Sequence, residues 1–130
     1  MSWIQIETTD GVTAFYPGDA IEGKAFWRLE TPPRSVELRL FWYTEGKGEQ
    51  DVGIVEAVAF VNPAAEDSRP FHLRLPEGPY SFSGKLISLL WALEVVAQPG
   101  EEAGRLEITV SPTGSEILLH PGGESHPSPG

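Results

Sequence analysis

The residues of this sequence that could do chemistry are three histidines and nineteen carboxylates, without a single cysteine. His72 lies between Phe71 and Leu73 and alternates with the apolar positions of its segment. A general base needs a nucleophile and an orienting partner within hydrogen-bond reach, and no such pattern accompanies it. A structural or solvent-facing histidine is the expectation. His120 and His126 sit in a Pro/Gly-rich stretch at a spacing that fits neither a helical zinc pair nor a site containing Cys. Glu45, Glu49 and Asp51 are close in sequence, as are Glu66 and Asp67, and loops of β-proteins can gather such groups around calcium. No EF-hand spacing is present, so solvated loop charge is expected instead. Glu45-Gly46-Lys47-Gly48 lacks the remainder of a phosphate-binding loop. No catalytic set, metal site or cofactor is therefore predicted, and the chain is not expected to be an enzyme.

Charge removes further classes. Nineteen Asp and Glu against nine Lys and Arg give a formal net charge of −10, which repels phosphate backbones and anionic lipid. No nucleic-acid partner is expected. Residues 1–5 have neither the basic nor the apolar region of a secretory signal. The longest apolar run, Leu86 to Ala97, is too short for a membrane span and contains Glu94. These features, with the absence of Cys, predict a cytoplasmic protein that does not insert into membrane.

The elements that must position these residues read as strands. Fourteen Gly and twelve Pro break the chain too often for a long 3.6-residue stripe, whereas period-2 alternation recurs in short windows. Ile21, Gly23, Ala25, Trp27 and Leu29 alternate with Glu22, Lys24, Phe26, Arg28 and Glu30. Val36, Leu38, Leu40 and Trp42 alternate with Glu37, Arg39, Phe41 and Tyr43. Phe71, Leu73 and Leu75 share one face, and so do Leu106, Ile108 and Val110. Between Val52 and Val61 both parity sets are apolar, which predicts a strand covered on both faces. Thr44–Gln50, Asn62–Pro70 and Gln98–Gly104 read as loops. Beyond Ser111 the composition becomes Pro- and Gly-rich, so residues 112–130 are expected to form a flexible tail in which Ile117, Leu118 and Leu119 could dock locally.

Two turn motifs carry the most information. In Tyr16-Pro17-Gly18-Asp19-Ala20-Ile21-Glu22-Gly23, Pro17 presets φ near about −65° and Gly18 tolerates the positive φ of a type II turn. In the second, Pro79 and Gly84 bracket Tyr80, Ser81, Phe82 and Ser83 ahead of the long apolar run. With the short strand Trp3-Ile4-Gln5-Ile6-Glu7 in front, this order resembles an arrestin-type domain over roughly residues 3 to 111. Tyr16, Pro17, Gly18, Asp19, Ile21 and Gly23 match the family's first turn position by position.

The resemblance implies an all-β, immunoglobulin-like two-sheet antiparallel sandwich that binds protein. Arrestins usually carry two such domains in tandem; these 130 residues have room for one, residues 1–111, with an adequate core. The best-known members hold phosphorylated tails with Lys and Arg around the first strand, where this sequence has Gln5 and Glu7. Phosphate recognition is not expected here.

Ile21, Ala25, Trp27, Leu38, Leu40, Phe60, Leu73, Leu89, Trp91, Leu93, Ile108 and Val110 are the predicted interior. Trp3 and the Trp42-Tyr43 pair are candidates for an exposed aromatic platform, although core packing is the more ordinary fate of such residues. The expected function is a non-enzymatic adaptor that binds a protein partner, or itself, through a sheet edge. Trp3, Ile4, Gln5, Ile6 and Glu7 form the candidate edge. The alternative is a carbohydrate- or other ligand-binding module that uses Trp42.

Overall fold

The computed structural model describes residues 1–48, 50–84, 87–113 and 117–118. Among these residues ten strands follow one another: β1 (Trp3–Thr8), β2 (Ala14–Phe15), β3 (Ala20–Arg28), β4 (Ser35–Gly46), β5 (Val52–Ala59), β6 (Glu66–Arg74), β7 (Phe82–Ser83), β8 (Ile87–Gln98), β9 (Glu102–Val110) and β10 (Ile117–Leu118). A single 3-10 turn at Thr9–Gly11 is the one helical element among the described residues.

Two unequal sheets pack face to face. The smaller has the order β1-β3-β6 and the larger has seven strands. In the larger sheet β5, β4 and β8 are consecutive neighbours. The other side of β8 is shared between β7 at Ser88–Leu89 and β9 at Trp91–Ala97, with β2 beside β9 and β10 beside β7. The long pairings are antiparallel; the two-residue pairings β2 with β9 and β7 with β10 are parallel.

Side-chain alternation drives this packing, because a strand presents every second residue to the same face. Ile21, Ala25 and Trp27 of β3, with Phe71 and Leu73 of β6, meet Val36, Leu38 and Leu40 of β4 and Trp91, Leu93 and Val95 of β8. Every predicted interior residue belongs to this core, Phe60 as a partly buried side chain against it. The buried indoles are satisfied: Trp27 Nε1 donates to the Ala64 carbonyl at 2.8 Å and Trp91 Nε1 to the Pro79 carbonyl at 2.9 Å. No buried side-chain N or O of the described residues lacks a partner.

Three expectations need correcting. Val52–Val61 is not covered on both faces, since Val52 and Ile54 are each 61% exposed and Val55 is 39% exposed. The reason is topological: β5 is the outermost strand of the larger sheet. Next, Glu66–Pro70 is strand, not loop. Its backbone pairs with Arg28 to Lys24 of β3, so hydrogen bonding to a neighbour extends β6 beyond its own apolar alternation. Similarly, β4 runs on to Gly46 and β9 starts at Glu102, which shortens two predicted loops. Of the predicted tail, Ile117–Leu118 pairs with Phe82–Ser83; His120 and His126 lie outside the described residues, as do Glu49 and Leu86.

Candidate functional site

The two turn motifs brace the sandwich from separate places. Asp19 N donates to the Tyr16 carbonyl at 3.1 Å, and Asp19 Oδ2 accepts from Tyr16 N at 2.8 Å, closing the turn on both sides. Gly18 has φ of +82° at its tip, the region where a side chain is strained. The turn is tied to the end of β6: Gly18 N donates to the Pro76 carbonyl, Leu75 N to the Asp19 carbonyl, and Arg74 Nη1 to the Gly18 carbonyl. Pro17 stands beside Gly18 in this turn, Tyr16 is exposed, Ile21 is in the core, and Gly23 pairs with Thr8 and Phe71.

The second motif is knitted to β8 and β9. The Pro79 carbonyl receives the Trp91 indole, while buried Ser81 exchanges two bonds with Val110: its N donates to the Val110 carbonyl at 2.7 Å and its Oγ accepts from Val110 N at 3.0 Å. Phe82 packs against the core, Tyr80 is exposed, and Gly84 N donates to the Ile87 carbonyl. Both motifs are thus structural braces.

The predicted edge strand β1 is placed differently from β5. Ile4 and Ile6 turn inward, Ile6 buried and Ile4 packed on the core, while Gln5 and Glu7 are exposed and Trp3 is 46% exposed. One side of β1 pairs with β3 and the other meets β9. There Gly104 approaches so closely that a Cβ would collide with the Ile4 carbonyl. Trp42 also faces inward, packed against the core with its indole over the backbone of Gly53. Trp42 is therefore no part of an open platform. Its neighbour Tyr43 lies on the outer face, where Arg105 stands 5.1 Å from the Phe41 ring centroid and 5.3 Å from that of Tyr43. Burial, and then the Glu107 carboxylate that accepts its hydrogen bond at 3.1 Å, hold the Tyr43 phenol above its ordinary value. It stays a neutral donor at physiological pH.

The remaining sheet edges differ in how they are protected. On β6, Pro70 interrupts an exposed edge that also carries Arg69 and Asp67, both recognised ways of discouraging another strand. β5 has neither proline nor paired charge; of such devices it carries a bulge and one inward-facing carboxylate, Glu56. The strand runs Val-Gly-Ile-Val-Glu-Ala-Val-Ala, and its pairing partner among the described residues is β4. The register slips between Leu40 and Phe41, leaving Val55 as an extra residue in a β-bulge. Phe60 N donates to the Val36 carbonyl and Thr44 N to the Asp51 carbonyl. By the alternation of an antiparallel ladder, the N–H groups of Val52, Ile54, Ala57 and Ala59 then point away from β4. Val52 and Ile54, opposite Tyr43 and Phe41, put exposed apolar side chains on the outer face at this edge.

The outer face of the smaller sheet carries a groove of about 510 Å³ lined by Glu7, Glu22, Lys24, Phe26, Pro70 and His72 among others. His72 is exposed, with Nδ1 3.8 Å from Glu22 Oε1. Among the described residues no three His, Asp or Glu are grouped closely enough to hold a metal ion. No helix of the described residues is long and apolar enough to cross a membrane.

Two unequal, mostly antiparallel sheets, with braced turns ahead of β3 and β8, define an arrestin-like, immunoglobulin-type β-sandwich. Among solved structures, Spo0M, the sporulation control protein from Bacillus subtilis, is similar over 85% of this chain and 49% of its own, with a TM-score of 0.63 and 17% identity. The chain thus spans about half the length of that structure. A β-glucosidase from Listeria innocua matches at a TM-score of 0.42 and 11% identity, over 90% of this chain and 17% of its own, too distant to bear on fold or function. No protein-family model and no curated protein matches the chain.

Proposed function

We propose that this chain is a non-enzymatic protein-binding module that accepts an extended partner segment as an added strand on β5. The observation that carries the reading is an eight-residue outer strand with Val52, Ile54 and Val55 exposed. Its outward N–H and C=O groups offer a template for another chain, and the alternating side chains offer register. Similarity to a sporulation control protein agrees with a regulatory rather than a catalytic role. The cytoplasm is the compartment this reading assumes.

Selection of short peptides from a display library, followed by hydrogen exchange on the complex, tests the proposal. Added protection is expected at Val52, Ile54, Ala57 and Ala59. Ala57→Pro should abolish binding while the fold persists, because the N–H it removes points away from β4. Binders that protect β1 or the groove beside His72 instead, or that tolerate Ala57→Pro, would sink the assignment to β5.

A further inference from the structure

Glu56 is the single charged residue of β5. By register it lies opposite Leu40, a fully buried residue, so the carboxylate belongs to the inward face of the sheet. Yet it is exposed, because β5 is the outermost strand. No cation within the described residues answers it. Arg39, opposite Ala57, is engaged by Glu37, and Arg105 lies over Phe41 and Tyr43 with Glu94 at 3.3 Å. Asp51, exposed immediately before the strand, adds a second negative charge at one end.

A strand added to β5 must present alternate side chains to the two faces, whichever direction it runs. On the outer face its neighbours are Val52 and Ile54, which favour apolar contacts. On the inner face its neighbours include Glu56, where a cross-strand cation is favoured and an acid repelled. We infer that β5 selects an extended partner segment in which apolar residues alternate with Lys or Arg. The inference rests on the proposed use of β5 and names the chemistry of the partner. A second copy of the chain is the less suitable occupant. Each copy carries a net charge of −10 and brings another Glu56 and Asp51 to the same edge.

The probes are peptides of the length of β5 that alternate valine with lysine, glutamine or glutamate, titrated against the full chain by fluorescence anisotropy. The lysine peptide should bind about fivefold more tightly than the glutamine peptide, the upper range for one cross-strand charge pair, and the preference should shrink as salt is raised. Glu56→Gln should erase it, and Glu56→Lys should turn it toward the glutamate peptide. Circular dichroism of both variants should match the parent, since the side chain is exposed. Equal binding of lysine and glutamine peptides overturns the charge selection while leaving strand addition intact. So does a lysine preference that survives Glu56→Lys, which assigns it to overall charge. If Glu56→Gln instead makes the chain self-associate in sedimentation without any peptide preference, Glu56 is only a guard against edge pairing and the inference fails. Loss of all peptide binding, or binding indifferent to Ala57→Pro, overturns the use of β5 itself.

Discussion

The indole of Trp42 lies over the backbone of Gly53, occupying the space that a Cβ on residue 53 would need. The two residues face each other across the β4–β5 ladder, so Gly53 is what lets a large aromatic fold flat along the rim of the core. Gly53→Ala should push the indole outward and destabilise the fold by about 1–3 kcal/mol, the usual cost of overpacking. A lower denaturation midpoint with red-shifted tryptophan emission in the folded state is the expected result.

Ser81 joins the second motif to β9 through its side chain as well as its backbone. Ser81→Ala leaves the buried Val110 N–H without its acceptor while keeping the bond from Ser81 N to the Val110 carbonyl. A buried donor left unpaired costs about 1–3 kcal/mol. Urea unfolding should show that loss as a shifted midpoint with an unchanged slope.

At the first motif, Gly18→Ala is expected to cost about 1–2 kcal/mol because φ of +82° must be held against a Cβ. Asp19→Ala removes an exposed hydrogen bond to Tyr16 N and should cost less, about 0.5–1.5 kcal/mol. The order of the two variants in thermal denaturation checks the assignment of Gly18 as the constrained residue.

Asp67 supplies a pH-dependent increment. The Arg69 side chain first, with the Ala64 and Ser68 backbone N–H groups, holds its carboxyl below the ordinary value of 3.8, against a smaller opposing effect of burial. A carboxyl lowered by folding adds stability at neutral pH, and that increment disappears as pH falls below the unfolded value and through the lowered one. Asp67→Asn should therefore be less stable than the parent at pH 7. The gap should close on acidification through the region beneath 3.8. A gap independent of pH would assign the loss to packing.

Much of the fold is legible in the sequence because alternation and turn chemistry are local. Trp27 and Leu38 disclose their facing by parity, and Pro17-Gly18 discloses its turn by the backbone angles those residues favour. The rank of a strand within a sheet is a different matter. Val52, Ile54, Val55 and Val58 populate both parity sets, which reads as a doubly covered strand, yet the covering depends on how far the opposite sheet reaches. Glu56 was the local signal to the contrary. Trp42 shares the parity of Leu38 and Leu40, so its inward placement was readable, but the space over Gly53 that receives it arises from pairing between strands. β6 shows the converse case: Glu66 to Pro70 lack apolar alternation and join the sheet because β3 supplies hydrogen-bonding partners. The sequence alone points to residues 3–7 as the binding edge; the choice of β5 instead rests on sheet order and on the contact of β1 with β9, which no local pattern discloses.

The seam between β1 and β9 also bears on how the chain is made. Ile4 rests against Gly104, while Ala14 and Phe15 pair with Thr109 and Val110, so β1 finds its second neighbour, and β2 its pairing partner, in the much later β9. Contacts so distant in sequence close slowly, and during synthesis they wait for β9 to leave the ribosome. Until then β1 can pair with β3 but has nothing on its other side, and the growing chain carries a temporary open edge in addition to those of β5 and β6.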